Sequence, residues 1–240
     1  MGMKWIFVTL ATGALFAAGP EPPRHQPVLV ELFTSEGCSS CPPADALLEK
    51  LDSPEVIVLS EHVDYWNDIG WKDQYSSPLY SERQRAYAQQ FHLNSVYTPQ
   101  MVIDGVAEVV GNDNRAVRAR IAAAGQREKI PVRLISTGSD RIRIEVDATS
   151  NSNADVMLAV ASNEAATDVR SGENGGRKLH HVAVVRSITS IGTIRNGEVF
   201  SKEIPLKQEP GQRIIAWVQT RGQGPVLGSA IKHYKEEENK

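Results

Sequence analysis

Apolar residues follow two different rhythms along this chain, and the change falls just past its middle. In the first half they come as short unbroken runs. Val28–Thr34 and Val56–Ser60 are runs rich in Val, Leu and Ile, the pattern of strands buried on both faces. Between them, Pro42–Leu51 places Ala46, Leu47 and Leu51 on one helical face, and Ser81–Phe91 predicts a second helix with Ser81 as its cap. Met101–Ile103 and Val106–Val110 flank Asp104-Gly105, a hairpin signal. Asn112 is placed to cap a last helix, Arg115–Ala124, which Gly125 ends. The order is βαβαββα, with parallel strands joined by crossover helices and then an antiparallel pair.

Beyond Pro131 the rhythm becomes an alternation of period two. Arg141–Asp147 is strictly alternating, and Asp155–Ala161, His181–Ser187, Ile214–Val218 and Val226–Ile231 predict further strands. Polar, Gly-rich connectors such as Ser171–Gly176 separate them, and no long helical period appears. The fold class is therefore α/β: a βαβαββα domain over residues 26–127, then a smaller antiparallel β-sandwich-like domain over 130–236, with the boundary between Gln126 and Pro131.

The N-terminus changes the picture of compartment. Lys4 followed by the apolar stretch Trp5–Ala18 predicts a signal peptide over residues 1–20, too short for a comfortable membrane span. The expected product is periplasmic or secreted, with no stable transmembrane segment after cleavage. A formal charge of −3 with both signs interspersed gives no footprint for nucleic acid or anionic lipid.

Cys38-Ser39-Ser40-Cys41 holds the only two cysteines of the 240 residues, at the first strand-to-helix turn. A disulfide closing so small a loop stabilises by about 2 kcal/mol at most, against roughly 4.7 for a hundred-residue loop. The pair is better placed for thiol–disulfide exchange or for holding a soft metal than for stapling. A helix beginning at Pro42 would put Cys41 at the cap and Cys38 in the loop before it, so Cys38 is the expected exposed attacking thiol and Cys41 its resolving partner. Glu36 and Asp45 would oppose thiolate formation if close in space.

His62 and Asp64 follow the second strand and should lie at the same sheet edge as the cysteines. His62 would be a third metal ligand beside Cys38 and Cys41, or a hydrogen-bonded loop histidine; Asp64 would assist proton transfer, or anchor a loop. Tyr65, Trp66, Trp71, Tyr75 and Tyr80 would line a groove for an extended peptide or pack a local core. His180 and His181, adjacent on a strand, point to opposite faces and read as structural.

A C-x-x-C at this turn resembles the thioredoxin fold, and the resemblance extends to Thr98-Pro99, where such folds carry a cis-proline facing the dithiol. The strings Val30–Asp45, His62–Trp66, Gly70–Asp73 and Tyr97–Gln100 resemble the exported bacterial family catalogued as domain of unknown function 1223, within the thioredoxin-like superfamily. That resemblance implies a thioredoxin-like first domain and assigns no activity. It makes Cys38, Cys41 and Pro99 the expected catalytic set, with His62, Asp64, Trp66, Trp71 and Thr98 about a substrate groove. The leading expectation is an exported thiol–disulfide oxidoreductase acting on a protein or peptide without a cofactor. A non-catalytic binding module and a periplasmic copper or zinc carrier using Cys38, Cys41 and His62 stand as alternatives.

Overall fold

Seven buried residues in a row cannot alternate between core and solvent, and β1 (Val28–Thr34) and β2 (Val56–His62) are each buried along their whole length. The computed structural model describes residues 26–148, 153–195 and 197–234. Residues 1–20, where the sequence predicts a signal peptide, lie outside them. Among the described residues no helix is long and apolar enough to cross a membrane.

After β1 and β2 the first half continues with β3 (Gln100–Ile103) and β4 (Ala107–Val110), and its helices are α1 (Pro42–Leu51), α2 (Pro78–Gln90) and α3 (Asn114–Ala124). Strand β1 runs parallel to β2 and antiparallel to β3, which pairs with β4. Pleating sends Val28, Val30 and Leu32 toward Leu47, Leu48 and Leu51 of α1 and Val117 of α3. It sends Leu29 and Phe33 the other way, toward Tyr80 and Tyr87 of α2. Both faces are covered, so the sequence reads as a continuous run. On α1 the buried set is Ala44, Leu47, Leu48 and Leu51, while Ala46 faces solvent.

Two helix starts differ from expectation. Ser77, not Ser81, caps α2: its hydroxyl accepts from Leu79 N–H at 3.3 Å, with Pro78 in the first turn. The proline fits there because its missing N–H would be unpaired anyway. Asp113, not Asn112, caps α3, accepting from Ala116 N–H at 3.0 Å.

The second half supplies β5 (Val132–Ser136), β6 (Arg141–Val146), β7 (Ala154–Asp168), β8 (Lys178–Ile194), β9 (Phe200–Pro205), β10 (Gln212–Thr220) and β11 (Val226–Tyr234). Strand β8 joins β2 in parallel, Ser60 opposite Val184. One eight-stranded mixed sheet results, ordered β11-β10-β7-β8-β2-β1-β3-β4, beside a three-stranded antiparallel sheet, β5-β6-β9. The two sheets enclose a core that includes Ile142, Ile144, Val156, Ile214 and Val218. Two sheets do stack in the second half, as the alternation predicted. One of them, however, continues the first half's sheet instead of belonging to a sandwich of its own. The reason is strand length. At 15 and 17 residues, β7 and β8 cover the small sheet at one end and reach β2 at the other. The segment between the halves is pinned: Lys129 Nζ lies 2.6 Å from Asp104 Oδ2, and Asp104 Oδ1 accepts from Leu29 N–H at 2.8 Å.

Candidate functional site

The turn between β1 and α1 is short and internally bonded. Cys38 N–H donates to Ser35 O and Cys41 N–H to Cys38 O, both at 3.2 Å. Cys41 occupies the cap of α1, and its carbonyl accepts from Ala44 N–H at 2.8 Å and Asp45 N–H at 3.1 Å. Cys38 and Cys41 form a disulfide with their Cα atoms 5.4 Å apart. Both are 0% exposed, and only Ser39 and Ser40 of the motif face solvent. The expectation of an exposed Cys38 is thus corrected.

The tip of the β7–β8 hairpin sits on this turn. Buried Asn174 donates through Nδ2 to the carbonyls of Glu36 and Cys38, each at 2.9 Å, and Arg177 Nη1 holds its Oδ1 at 2.8 Å. Glu173 Oε2 accepts from Ser39 N–H at 3.0 Å, and Ser171 Oγ donates to Gly70 O at 2.6 Å. Gly172 lies flat against Trp71: a Cβ there would stand 3.0 Å from that residue's own Cβ.

Behind the turn, on the α1 face of the sheet, lies a buried set of titratable groups. His62 Nδ1 is 2.7 Å from Asp73 Oδ2; a carboxylate only accepts, so Nδ1 is the donor. Asp73 also accepts from Glu36 N–H and Tyr75 N–H, each at 2.8 Å. Burial raises the Asp73 carboxyl, but His62 and these two N–H groups outweigh it and hold the group below its usual range. The His62 ring meets His181 edge-on, with centroids 4.7 Å apart. His181 in turn stands 3.7 Å from both Glu36 Oε1 and Asp45 Oδ1. Those contacts are ion pairs longer than hydrogen bonds. Burial lowers the His181 pKa, but the carboxylates of Asp45 and Glu36 prevail and lift it to about 9. Trp71 Nε1 donates to Glu36 Oε2 at 2.8 Å.

Several atoms here are buried without a hydrogen-bond partner: Thr34 Oγ1, Glu36 Oε1, Asp45 Oδ1, Ser60 Oγ, His62 Nε2 and both ring nitrogens of His181. Native interiors leave few such atoms, and their concentration beside one disulfide makes this the candidate site.

Pro99 is buried and follows a cis peptide bond from Thr98. Gly111 lies between it and the start of α1: a Cβ there would be 3.1 Å from Pro99 Cβ and 3.3 Å from Ala44 Cβ. Thr98 Oγ1 accepts from Trp66 Nε1 at 2.8 Å. The aromatic cluster turns its polar ends inward: Tyr65 OH bonds Gln84 at 3.0 Å and Tyr80 OH bonds Val185 O at 3.0 Å. Asp64 turns away from the cysteines to Ser81, whose Oγ donates to it at 2.5 Å. Among the described residues no three His, Cys, Asp or Glu side chains are arranged to hold a metal ion. In the disulfide each sulfur is bonded to the other. His180 is half-exposed and His181 buried, and each stands near a carboxylate of α1, Glu49 at 3.9 Å and Asp45 at 3.7 Å respectively. Asp73, His181 and Asn174 are the site neighbours to which sequence reasoning gave no part in the site. Asp73 lay within the Gly70–Asp73 string, His181 was read as structural, and Asn174 lay in the Ser171–Gly176 connector.

The opposite face of β1 and β2 carries a second buried cluster. Arg83 Nε is 2.6 Å from Glu31 Oε1, and Nη2 bonds Tyr87 OH at 3.1 Å and Gln219 Oε1 at 3.0 Å. Tyr87 OH donates to Glu31 Oε2. Burial and the neighbouring Glu31 push the Glu61 carboxyl well above its usual range, against the pull of Arg83. An open cavity of about 240 Å³ lies beside Arg83, Gln219 and Gln223.

The family described as a protein of unknown function, DUF1223, matches residues 29–219, and the chain belongs to that family. No curated protein matches it. Among solved structures, a crystal structure of an Agrobacterium tumefaciens protein is similar at 32% identity and a TM-score of 0.75, covering 89% of this chain and 96% of that one. A domain of the outer membrane lipoprotein Omp28 from Porphyromonas gingivalis covers 45% of this chain and 89% of its own at 12% identity and a TM-score of 0.27. That overlap is too poor to bear on fold or function.

Proposed function

We propose that this DUF1223 protein is an exported thiol–disulfide exchange protein of thioredoxin-like architecture, working through Cys38 and Cys41. The architecture is supported by the βαβαββα order, by β1 lying parallel to β2 and antiparallel to β3, and by the cis Thr98–Pro99 bond near the start of α1. One observation carries the activity: the buried set of Glu36, Asp45, His62, Asp73 and His181 behind the disulfide turn. An inert local disulfide needs no such set, whereas exchange must supply and remove protons where thiolates form.

Beginning from the disulfide, a substrate thiolate attacks Cys38 Sγ, the S–S bond breaks, and Cys41 leaves as a thiolate. The substrate's second thiol then attacks its own sulfur in the mixed disulfide and Cys38 leaves. The substrate gains a disulfide, and the cysteine pair takes up two electrons and two protons. The reverse sequence reduces a substrate disulfide.

A second reading, a non-catalytic binding module with a local disulfide, is favoured by the complete burial of both cysteines. Equilibration in glutathione buffers with thiol trapping separates the two. Exchange predicts a reduction potential between about −120 and −270 mV, and a value below about −300 mV means a structural disulfide. Cys38→Ser should abolish insulin reduction while leaving the fold intact. The N-terminal sequence of the protein recovered from a periplasmic fraction tests export and the cleavage of residues 1–20.

A further inference from the structure

We propose that the tip of the β7–β8 hairpin, residues 169–177, is a gate over the cysteine pair that lifts before any external thiol reaches the sulfurs. The use of such a gate rests on the exchange reading; its physical claim concerns access and is tested separately.

Exchange requires a thiolate to meet a disulfide sulfur directly, and a sulfur without exposed surface offers no approach. Both cysteines are 0% exposed, so opening must precede attack. The tip is the segment built to open. What fastens it is polar: Asn174 on the Glu36 and Cys38 carbonyls, Glu173 on Ser39 N–H, and Ser171 on Gly70 O. Each of those bonds exchanges for one to water on lifting. Apolar anchoring is slight, since Val169 and Asn174 are the buried residues of the tip while Ser171, Gly172, Glu173, Gly175 and Gly176 are exposed. Segments with few apolar contacts and water-exchangeable bonds open at low free energy while the rest of the fold stays closed.

Within the tip, Gly172 and Gly176 have φ of +74° and +81°, which glycine adopts without a Cβ penalty, and nothing lies within 4 Å of where a Cβ would stand on Gly176. The strands below stay paired from Asp168 and Lys178 onward, and the base of the tip is held by Val169 N–H on Arg177 O at 2.9 Å and Gly176 N–H on Val169 O at 2.8 Å, so it is the part beyond that base that lifts. Lifting the tip frees two carbonyl acceptors and one N–H donor at the cysteine turn, the groups an extended polypeptide would use to lie beside the sulfurs.

The rate of reduction by excess dithiothreitol, followed on the full chain by alkylation and mass, tests the gate. One reductant thiolate attacks a sulfur of the pair and the other sulfur leaves. The reductant's second thiol then closes its own ring, passing two electrons and two protons to the cysteines. The native chain should be reduced at least about tenfold more slowly than the same chain unfolded in concentrated urea. Asn174→Ala should be reduced about tenfold faster than the native chain, and the exposed Glu173→Ala about two- to threefold faster. All folded-state rates should be nearly flat across low urea, as local opening exposes little surface.

The gate is overturned if the native chain reacts as fast as the unfolded one, if neither variant is faster, or if the rates climb with urea as steeply as global unfolding. Glu173→Ala keeps the test open should Asn174→Ala fail to fold. Failure of the exchange reading looks different. A potential below about −300 mV with accelerated variants leaves the gate standing and removes the enzyme, whereas a potential in the exchange range with unchanged rates does the reverse.

Discussion

Strands β1 and β2 bury a polar cluster on each face, and the two clusters are completed to different degrees. On the α2 face, Arg83 uses Nε, Nη1 and Nη2, both oxygens of Glu31 are taken, and Gln219 bonds Tyr87 and Gly224. In that cluster Glu61 lacks a hydrogen bond, its Oε1 standing 3.7 Å from Arg83 Nε, and its carboxyl is pushed toward the neutral form. On the α1 face, His62, His181, Glu36 and Asp45 all keep atoms without a hydrogen bond. A filled network fixes shape, while each buried orphan costs about 1–3 kcal/mol. The α1 face is the less completely bonded of the two, and it stands beside the disulfide.

Breaking the filled network should have the largest effect. Arg83→Leu strands the buried Glu31 carboxylate and should cost about 3–5 kcal/mol in urea unfolding, with the reduction potential unmoved. A shifted potential would mean that the two faces are coupled and the contrast is false.

The next largest effect should come from pH. The His181 pKa is about 9 in the folded protein against about 6.5 unfolded, so its stabilisation is fully present below about 6.5 and lost as pH rises through 9. The difference is on the order of 3 kcal/mol, and His181→Gln should flatten the stability profile across that window. Unfolding midpoints at pH 6 and pH 9.5 decide it; an equal slope in both proteins would remove His181 as the source.

Tyr87→Phe leaves Glu31 Oε2 without its donor and should cost about 1–3 kcal/mol. Trp71→Phe removes a half-exposed donor from Glu36, which water replaces, and should cost about 1 kcal/mol. If calorimetry puts Trp71→Phe above Tyr87→Phe, the α1 face is the better bonded of the two.

Much of the first half was legible because its signals are local. The buried runs of β1 and β2, the prolines opening α1 and the turn at Asp104-Gly105 act within a few residues of where they stand. The cysteines were legible as a site because the chain has no others. Asn174 and His181 were not. Nothing near them in sequence says that β8 docks on β2, and a polar glycine-rich connector looks the same whether it waves in solvent or seals a turn. Strands β5 and β9 escaped notice because their exposed faces dilute the apolar pattern. The polar ends of β7 and β8 hid their length, and with it the continuity of the large sheet. Glu36 and Asp45 were noted beside the cysteines, but their sequence positions carry no hint of the histidine that stands between them.

The distance along the chain between the turn and its cover sets a clock. Asn174 lies 136 positions after Cys38. At synthesis rates of ~5–20 residues per second, roughly 7 to 27 s pass between the appearance of Cys38 and of the side chain that bonds its carbonyl. On a chain that folds as it emerges, the sulfurs meet their first oxidant unshielded during that interval. Under the proposed gate, pairing within that interval needs no opening, whereas every later encounter waits for the hairpin to lift.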